Sequence, residues 1–164
     1  MTEAVVTADG RFLFNGEIHR ATVGAAGVRV HKHEGDHATP AGLLELRRVL
    51  YRADRMKRPV ANVPREPISP DDGWCDDPWS PRYNTRVRLP IDARHEVLWR
   101  DDDVYDVIGV LGWNDAPAVK NMGSAIFLHV ARPNLASTEG CIALPLPTLL
   151  RVLECGLTAI RVLP

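Results

Sequence analysis

Two residues near the C-terminal end of the chain carry the side chains of a nucleophile and its base. His129 lies at the end of the apolar run SAIFLHV, and Cys141 follows twelve positions later in the small polar loop STEGC. A thiol near an imidazole can give up its proton, and the thiolate attacks carbonyl carbons. The pair indicates acyl chemistry through a thioester, but a core histidine followed by an ordinary buried thiol also fits the spacing.

The residues around the pair are also compatible with catalysis. In a strand alternate residues share a face, so Ala125, Phe127 and His129 point one way and place His129 at the rim. The connector ARPNLASTE is long enough to bring Cys141 back beside His129. Gly140 leaves room for a substrate carbonyl close to the backbone. The N–H groups of Gly140 and Cys141 are therefore predicted to stabilise an oxyanion.

The other two cysteines make weaker candidates. Cys75 lies in DDGWCDDP, where four aspartates oppose its ionisation and make it a poor nucleophile. Cys155 ends an apolar helical segment and is predicted to pack in the core. Three scattered cysteines do not form a disulfide framework.

Short strands dominate the pattern along the chain. EAVVT, RFLF and EIHRATV are separated by Asp9-Gly10 and Asn15-Gly16, which are hairpin dipeptides. LLELRRVLYRADR fits a helix or a pair of strands equally, because arginines interrupt its apolar stripe. Further strands are predicted in TRVRLPI, HEVLWR, VYDVIGVLGW and SAIFLHVA. LPTLLRVLECG is predicted to be a helix, with Pro147 in its first turn and Gly156 at its end, and LTAIRVLP a final strand.

One segment departs in composition from the rest of the chain. From Pro59 to Pro81 it is rich in proline, aspartate and tryptophan, and we predict an irregular insertion at about 59–84. Loops of that length in compact domains tend to be lids or binding loops. The 164 residues are otherwise predicted to form a single domain, 1–164.

Composition excludes some classes of partner. Twenty basic and twenty-one acidic residues give a formal charge of −1, which argues against nucleic acid as the main partner. No apolar run is long enough to span a bilayer. The start MTEAVVTADGRFLF does not resemble a signal peptide, so the protein stays inside, lacks its export signal here or uses another route. His31, His33 and His37 lie near Asp36, but without a second ligand cluster no metal site is predicted.

Two segments resemble the L,D-transpeptidase (YkuD) family, whose members remodel bacterial peptidoglycan with a cysteine nucleophile. GSAIFLHVARPNLASTEGCIAL resembles the catalytic segment of that family, and KHEGDHATPAG resembles its upstream Gly-Asp-x-x-Thr-Pro-x-Gly segment. The resemblance implies a mostly β fold, with curved sheets or a β-sandwich and one or two packed helices. It implies that Cys141 is the nucleophile, His129 its base and Gly140 part of the oxyanion hole. It also implies no cofactor, a location in the periplasm or cell wall, and acylation by carbapenems.

The chain departs from the family pattern in the nucleophile loop. The family has histidine before the Gly-Cys pair and arginine two residues after the cysteine, where this chain has Glu139 and Ala143. The substitutions leave the reaction type in place but change substrate recognition. A stem peptide has two bonds from an L-centre to a D-residue, so 3,3 and 1,3 cross-links both fit. The altered loop and the acidic excursion favour the 1,3 product, with Asp71, Asp72, Asp76 and Asp77 as candidate partners for an acceptor ammonium.

The stem peptide is the expected partner, and several residues are predicted to contact it or shape the cleft. Three functions remain open: cross-linking by an acceptor amine, hydrolysis as an L,D-carboxypeptidase or endopeptidase, and a non-catalytic peptidoglycan-binding module. The oligomeric state is not predicted. The substrate-contacting candidates are Lys32, Asp36, Arg82, Tyr83, Asn84, Ser124, Ser137, Thr138 and Glu139.

Overall fold

The structure, a computed structural model, describes residues 2–164 and is mostly β. Those residues form fourteen strands and one helix, which confirms the predicted fold class. The strands are β1 Glu3–Val6, β2 Arg11–Phe14, β3 Glu17–Arg20, β4 Val28–Arg29, β5 Thr39–Pro40, β6 Gly42–Tyr51, β7 Arg65–Pro67, β8 Asp72–Cys75, β9 Thr85–Arg88, β10 His95–Val97, β11 Val107–Leu111, β12 Phe127–Val130, β13 Ile142–Leu144 and β14 Ala159–Val162.

The largest sheet places the strands in the order β13-β12-β11-β6-β14-β1-β2-β3, with β7 beside β6. The β2–β3 hairpin turns at the predicted Asn15-Gly16 dipeptide, where both residues have positive φ, as a two-residue turn requires. β6 is ten residues long and pairs with β11, β14 and β7. Because β6 pairs with β14 along its first half and with β11 along its second, it joins the two halves of the sheet.

The part LLELRRVLY of the segment LLELRRVLYRADR lies in the single strand β6, so both the helix and the strand pair are wrong. Leu44 and Leu46 are buried, whereas Leu43 and Glu45 are exposed, which is the alternation of a strand with one covered face. A helix would have placed Arg47 and Arg48 along its apolar stripe.

The helix α1, Leu146–Glu154, forms where the sequence predicted it. Pro147 lies in its first turn, and Leu149, Val152 and Leu153 are its buried residues. They join a core that includes Phe12, Leu44, Leu128, Ile142 and Ile160 from the large sheet. The helix therefore covers the face of the sheet that carries Leu128 and Ile142 and leaves the opposite face of β12 available for other contacts.

The excursion from Pro59 to Pro81 was predicted to be irregular, and this is wrong for part of it. It contains β7 and β8, and β8 is the central strand of a three-stranded sheet ordered β10-β8-β9. Every residue of β8 is buried, so the strand lacks the alternation that identifies half-buried strands. Trp74 of β8 packs edge-on against Phe127 of β12, with ring centroids 5.0 Å apart. This contact holds the small sheet against the large one.

Candidate active site

Two adjacent parallel strands bring the histidine and the cysteine to one face. In the register of β12 and β13, Leu128 lies opposite Ile142 and His129 opposite Ala143. One position earlier, the Phe127 N–H donates a hydrogen bond to Cys141 Sγ at 3.4 Å. Since side chains alternate along each strand, Cys141 and His129 share a face and are diagonal neighbours.

Both side chains line a cleft of about 420 Å³. The chain segments around it come from the 32–37 loop, β10, the connector between β10 and β11, and the segments before and after β12. Of the residues predicted to shape the site, those that line the cleft are Lys32, Ser124, His129, Ser137, Thr138, Glu139, Gly140 and Cys141.

His129 is held as a neutral base. It is 7% exposed, and Nδ1 lies 3.0 Å from the Val130 carbonyl oxygen. A carbonyl only accepts hydrogen bonds, so Nδ1 carries the proton and Nε2 keeps its lone pair. Burial lowers the pKa of His129 to about 4, although the hydrogen bond to Val130 opposes the shift. Above that pH the imidazole can accept a proton.

Cys141 is held as a neutral thiol. It is 8% exposed, and Sγ donates to the Ala125 carbonyl at 3.2 Å. Burial, followed by the negative charge of Glu96, raises the pKa of the Cys141 thiol to about 12. The resting pair is therefore thiol and imidazole. A thiol in this state becomes a nucleophile only as its proton passes to a base, and the neutral imidazole of His129 is able to accept one.

Thr138 closes the loop that carries the thiol. Its hydroxyl donates to the Cys141 carbonyl at 2.6 Å and accepts from the Gly140 N–H at 3.1 Å. The backbone of Thr138 is in turn hydrogen-bonded to Val23 and Ala25. The Gly140 N–H, predicted to face an oxyanion, is therefore engaged within the loop here and would have to leave Thr138 to serve that role.

Gly140 occupies a position that other residues would strain. Its φ is +140°, and a Cβ there would lie 2.8 Å from the backbone oxygen of Ala38. We expect Gly140→Ala to lower the free energy of unfolding by about 1–3 kcal/mol and to slow acylation, because the nucleophile loop must shift. Urea unfolding and intact-mass acylation measure the two effects. Gly16→Ala is the control, since Gly16 also has positive φ but no atom within 4 Å of the added Cβ. An equal loss in both variants would show that the close approach to Ala38 is unimportant.

Lys32 and Asp36 form a buried ion pair beside the cleft. Lys32 is 3% exposed, and its Nζ lies 2.6 Å from Asp36 Oδ1. Burial opposes ionisation of Asp36, but Lys32 and the N–H groups of His33 and Ala38 hold its pKa below the usual value. Asp36, predicted to contact substrate, is placed behind Lys32 and orders the 32–38 loop instead.

Tyr83 and Asn84, predicted to bind substrate, lie in the interior. The Tyr83 hydroxyl donates to Glu34 at 2.6 Å, and Ser124 donates to the same carboxylate oxygen at 2.6 Å. Asn84 accepts from Trp74 and from the Ala125 N–H, and donates to two backbone carbonyls after β11. Arg82 is exposed on the turn before β9. The structure therefore gives Tyr83 and Asn84 the role of supporting the strand that leads to His129.

Among the cleft-lining residues that were not predicted from the sequence are Glu34, Glu96, Arg100 and Tyr105. The Tyr105 hydroxyl donates to Glu96 at 2.7 Å, and its ring meets the His129 ring edge-on at 5.5 Å. Arg100 is bound to Asp102 by two hydrogen bonds of 2.8 and 2.6 Å. The sequence did contain a signal for Glu96, namely an acidic residue in the middle of the short strand HEV.

The aspartates of the predicted insertion contribute less to the cleft than the composition of this segment indicated. Asp72 is paired with Arg86, Asp71 with Arg88 and Asp76 with Arg94. Asp77 caps the turn at Trp79. Only Asp76 of the four lines the cleft. Most of these carboxylates therefore brace the three-stranded sheet.

The thiols and histidines outside the pair have other environments. Cys75 is fully buried in β8, whereas Cys155 is exposed at the end of α1, so its predicted core packing is wrong. A simple alkylating reagent will therefore meet Cys155 first. His37 lines the cleft, but residues 2–164 contain no group of three or more side chains placed to hold a metal ion.

Cys141 and His129 share one face of the sheet and line one polar cleft, and a thiol beside a base is the arrangement from which acyl-cysteine intermediates form. The model of the YkuD family, the L,D-transpeptidase catalytic domain, matches residues 4–157. The chain therefore belongs to the L,D-transpeptidase family. No curated protein matches the sequence.

Family membership sets the general chemistry. YkuD domains are cysteine-dependent, are associated with peptidoglycan and usually act in the cell wall or periplasm. No helix within residues 2–164 is long and apolar enough to cross a bilayer.

Proposed function

We propose that the protein is a peptidoglycan L,D-transpeptidase in which Cys141 is acylated by a stem peptide and a diaminopimelate amine resolves the thioester. The observation that carries this proposal is the placement of Cys141 and His129 on one face of two parallel strands, with Nε2 of His129 available as a base. In an enzyme of this kind the two groups act as a unit.

The acylation step uses both groups. His129 Nε2 takes the thiol proton as Sγ attacks the carbonyl of the L-residue, and a tetrahedral intermediate forms. The C–N bond to the D-residue then breaks, and His129 returns the proton to the leaving amine. An amine of a second stem peptide attacks the thioester to give a 1,3 (L-Ala–diaminopimelate) or a 3,3 cross-link.

The charges around the cleft support an amine as the acceptor. Glu34, Asp76, Glu96 and Glu139 line it, as do Lys32, Arg100 and Arg132. Lys32 is paired with Asp36, and both arginines are paired with Asp102, so these cations are partly neutralised. An amine reaches the enzyme as an ammonium ion and is attracted to the carboxylates, whereas water gains nothing from them. We therefore place transfer ahead of hydrolysis by the same acyl-enzyme.

Incubation with purified disaccharide tripeptides and tetrapeptides tests the proposal. We expect peptide dimers, and tandem mass spectrometry will assign each new bond as 1,3 or 3,3. Shortened monomers without dimers would make the protein an L,D-carboxypeptidase or endopeptidase.

A carbapenem provides a second readout of the nucleophile. We expect one adduct, mapped to Cys141, in the Cys155→Ser variant, which removes the exposed thiol. Absence of both products and adduct would leave a non-catalytic peptidoglycan-binding module.

A further inference from the structure

Glu34, Glu96 and Glu139 line the cleft without an ion-pair partner among residues 2–164, whereas Asp76 is paired with Arg94. Glu96 of β10 is partly buried and lines the cleft with Cys141 and His129. Its Oε1 accepts the Tyr105 hydroxyl at 2.7 Å. Among residues 2–164, no arginine, lysine or histidine forms an ion pair with its carboxylate; the nearby Arg100 is held by Asp102.

The position of Glu96 is unfavourable for the first half of the reaction. Its charge is one of the causes that raise the pKa of Cys141, so it opposes formation of the thiolate. Burial also raises the pKa of Glu96 itself. A buried carboxylate without an ion-pair partner is destabilised, and a cation that binds beside it compensates for this. Since the charge of Glu96 hinders acylation, this compensation is most useful when the cation arrives after acylation.

We propose that Glu96 is the acceptor subsite: its carboxylate binds the ammonium group of the incoming amine and takes a proton from it. The inference rests on the proposed function, because it names the group that selects an amine over water at the same acyl-enzyme. Tyr105 is a positioning residue, since its hydroxyl orients Glu96 while its ring packs against His129.

The proton balance of transfer requires such a base. The acceptor enters as R–NH₃⁺ and must lose one proton before its nitrogen has a lone pair, and Glu96 takes this proton and later releases it to solvent. The nitrogen then forms the amide bond as the C–S bond breaks. The second proton passes from nitrogen to His129 and from His129 to Sγ, which restores the thiol.

The other acids of the cleft are less suited to this task. Glu34 already accepts two hydroxyl hydrogen bonds, and Asp76 is paired with Arg94 at 3.2 Å. Glu139 is exposed, so water and salt screen its attraction for a cation. Glu96 combines partial burial with an unpaired charge, which strengthens its attraction for an ammonium.

Glu96→Gln tests the subsite because glutamine keeps the shape and can still accept the Tyr105 hydroxyl. We expect the variant to form the acyl-enzyme at least as fast as the wild type, by intact mass. Transfer to a diaminopimelate-containing acceptor should fall by about 10²-fold relative to hydrolysis. Hydroxylamine, an amine that is mainly neutral at pH 7, should still resolve the acyl-enzyme at the wild-type rate, since it needs no deprotonation.

Glu154→Gln is the control, because it removes the same charge from the exposed end of α1, outside the cleft. It should keep the wild-type ratio of transfer to hydrolysis. Glu139→Gln removes the same charge from an exposed part of the cleft and tests the competing acid. A fall in that ratio for Glu139→Gln alone would move the acceptor subsite to Glu139. Equal losses of acylation, transfer and hydroxylamine reaction in Glu96→Gln would mean that Glu96 only shapes the site, which overturns the proposal.

The wild type provides a measurement that does not depend on folding of the variant. Guanidinium ion at non-denaturing concentration carries the charge of an ammonium but is a poor nucleophile. It should inhibit transfer to the diaminopimelate amine and leave reaction with hydroxylamine unaffected. Equal effects on both acceptors would overturn the proposal. A wild type that forms no acyl-enzyme would instead contradict the proposed function itself.

Discussion

Cys141→Ala is expected to reduce the formation of cross-links by about 10⁴-fold or more, to the limit of detection. Alanine removes the only atom that forms the thioester, and no other thiol lines the cleft within residues 2–164. The loop should keep its shape, because Thr138 rather than Sγ bonds to the backbone at both Gly140 and Cys141. Chromatography of muropeptide products measures activity, and thermal unfolding measures the fold.

Cys155→Ser is the control for the loss of a thiol. It removes an exposed sulfur at the end of α1 and should leave cross-linking at the wild-type rate. The assignment of the nucleophile would be wrong if Cys141→Ala still formed dimers, or if Cys155→Ser lost them.

His129→Gln is expected to slow acylation by about 10²–10⁴-fold, the usual contribution of a general base. Glutamine occupies similar space and can donate to the Val130 carbonyl, but its amide accepts no proton at neutral pH. A rate close to that of the wild type would show that another group accepts the thiol proton. Intact mass after mixing with a carbapenem or a muropeptide gives the rate.

The pH dependence of the wild type provides a separate test of His129. Because its pKa is about 4 rather than 6.5, the imidazole stays neutral as the pH falls through 6. The rate of acylation should therefore stay constant as the pH is lowered and should fall to half its value only near pH 4. A midpoint near 6.5 would mean that the imidazole is not buried in the way described.

The same shift affects stability, and its sign follows from proton binding. The unfolded chain takes a proton on His129 near pH 6.5, whereas the folded protein does so near pH 4. Unfolding is therefore favoured as the pH falls between these values, by up to about 3 kcal/mol. His129→Gln lacks this proton, so the variant should lose less stability than the wild type between pH 7 and pH 4 in urea unfolding.

Local sequence determined much of the fold. Alternation and short apolar runs identified more than half of the strands, the Asn15-Gly16 dipeptide located a hairpin, and Pro147 and the leucine stripe located α1. These signals depend on neighbours in the chain and need no knowledge of distant contacts. The motifs around Asp36 and Cys141 also identified the family, because close approaches such as that of Gly140 to Ala38 restrict the residues allowed there.

The tertiary structure decided how the site is assembled. β8 reads as irregular in sequence because Asp72 and Gly73 interrupt its apolar residues, and only packing through Trp74 and Phe127 defines it. As a result of this packing, Tyr83 and Asn84 lie in the interior, and Glu96 and Tyr105 line the cleft. Burial also set the neutral thiol and the neutral imidazole, since a pKa depends on which distant groups exclude water from the side chain. The sequence thus determined the candidate nucleophile and base, and long-range packing determined their protonation and the acid that faces them.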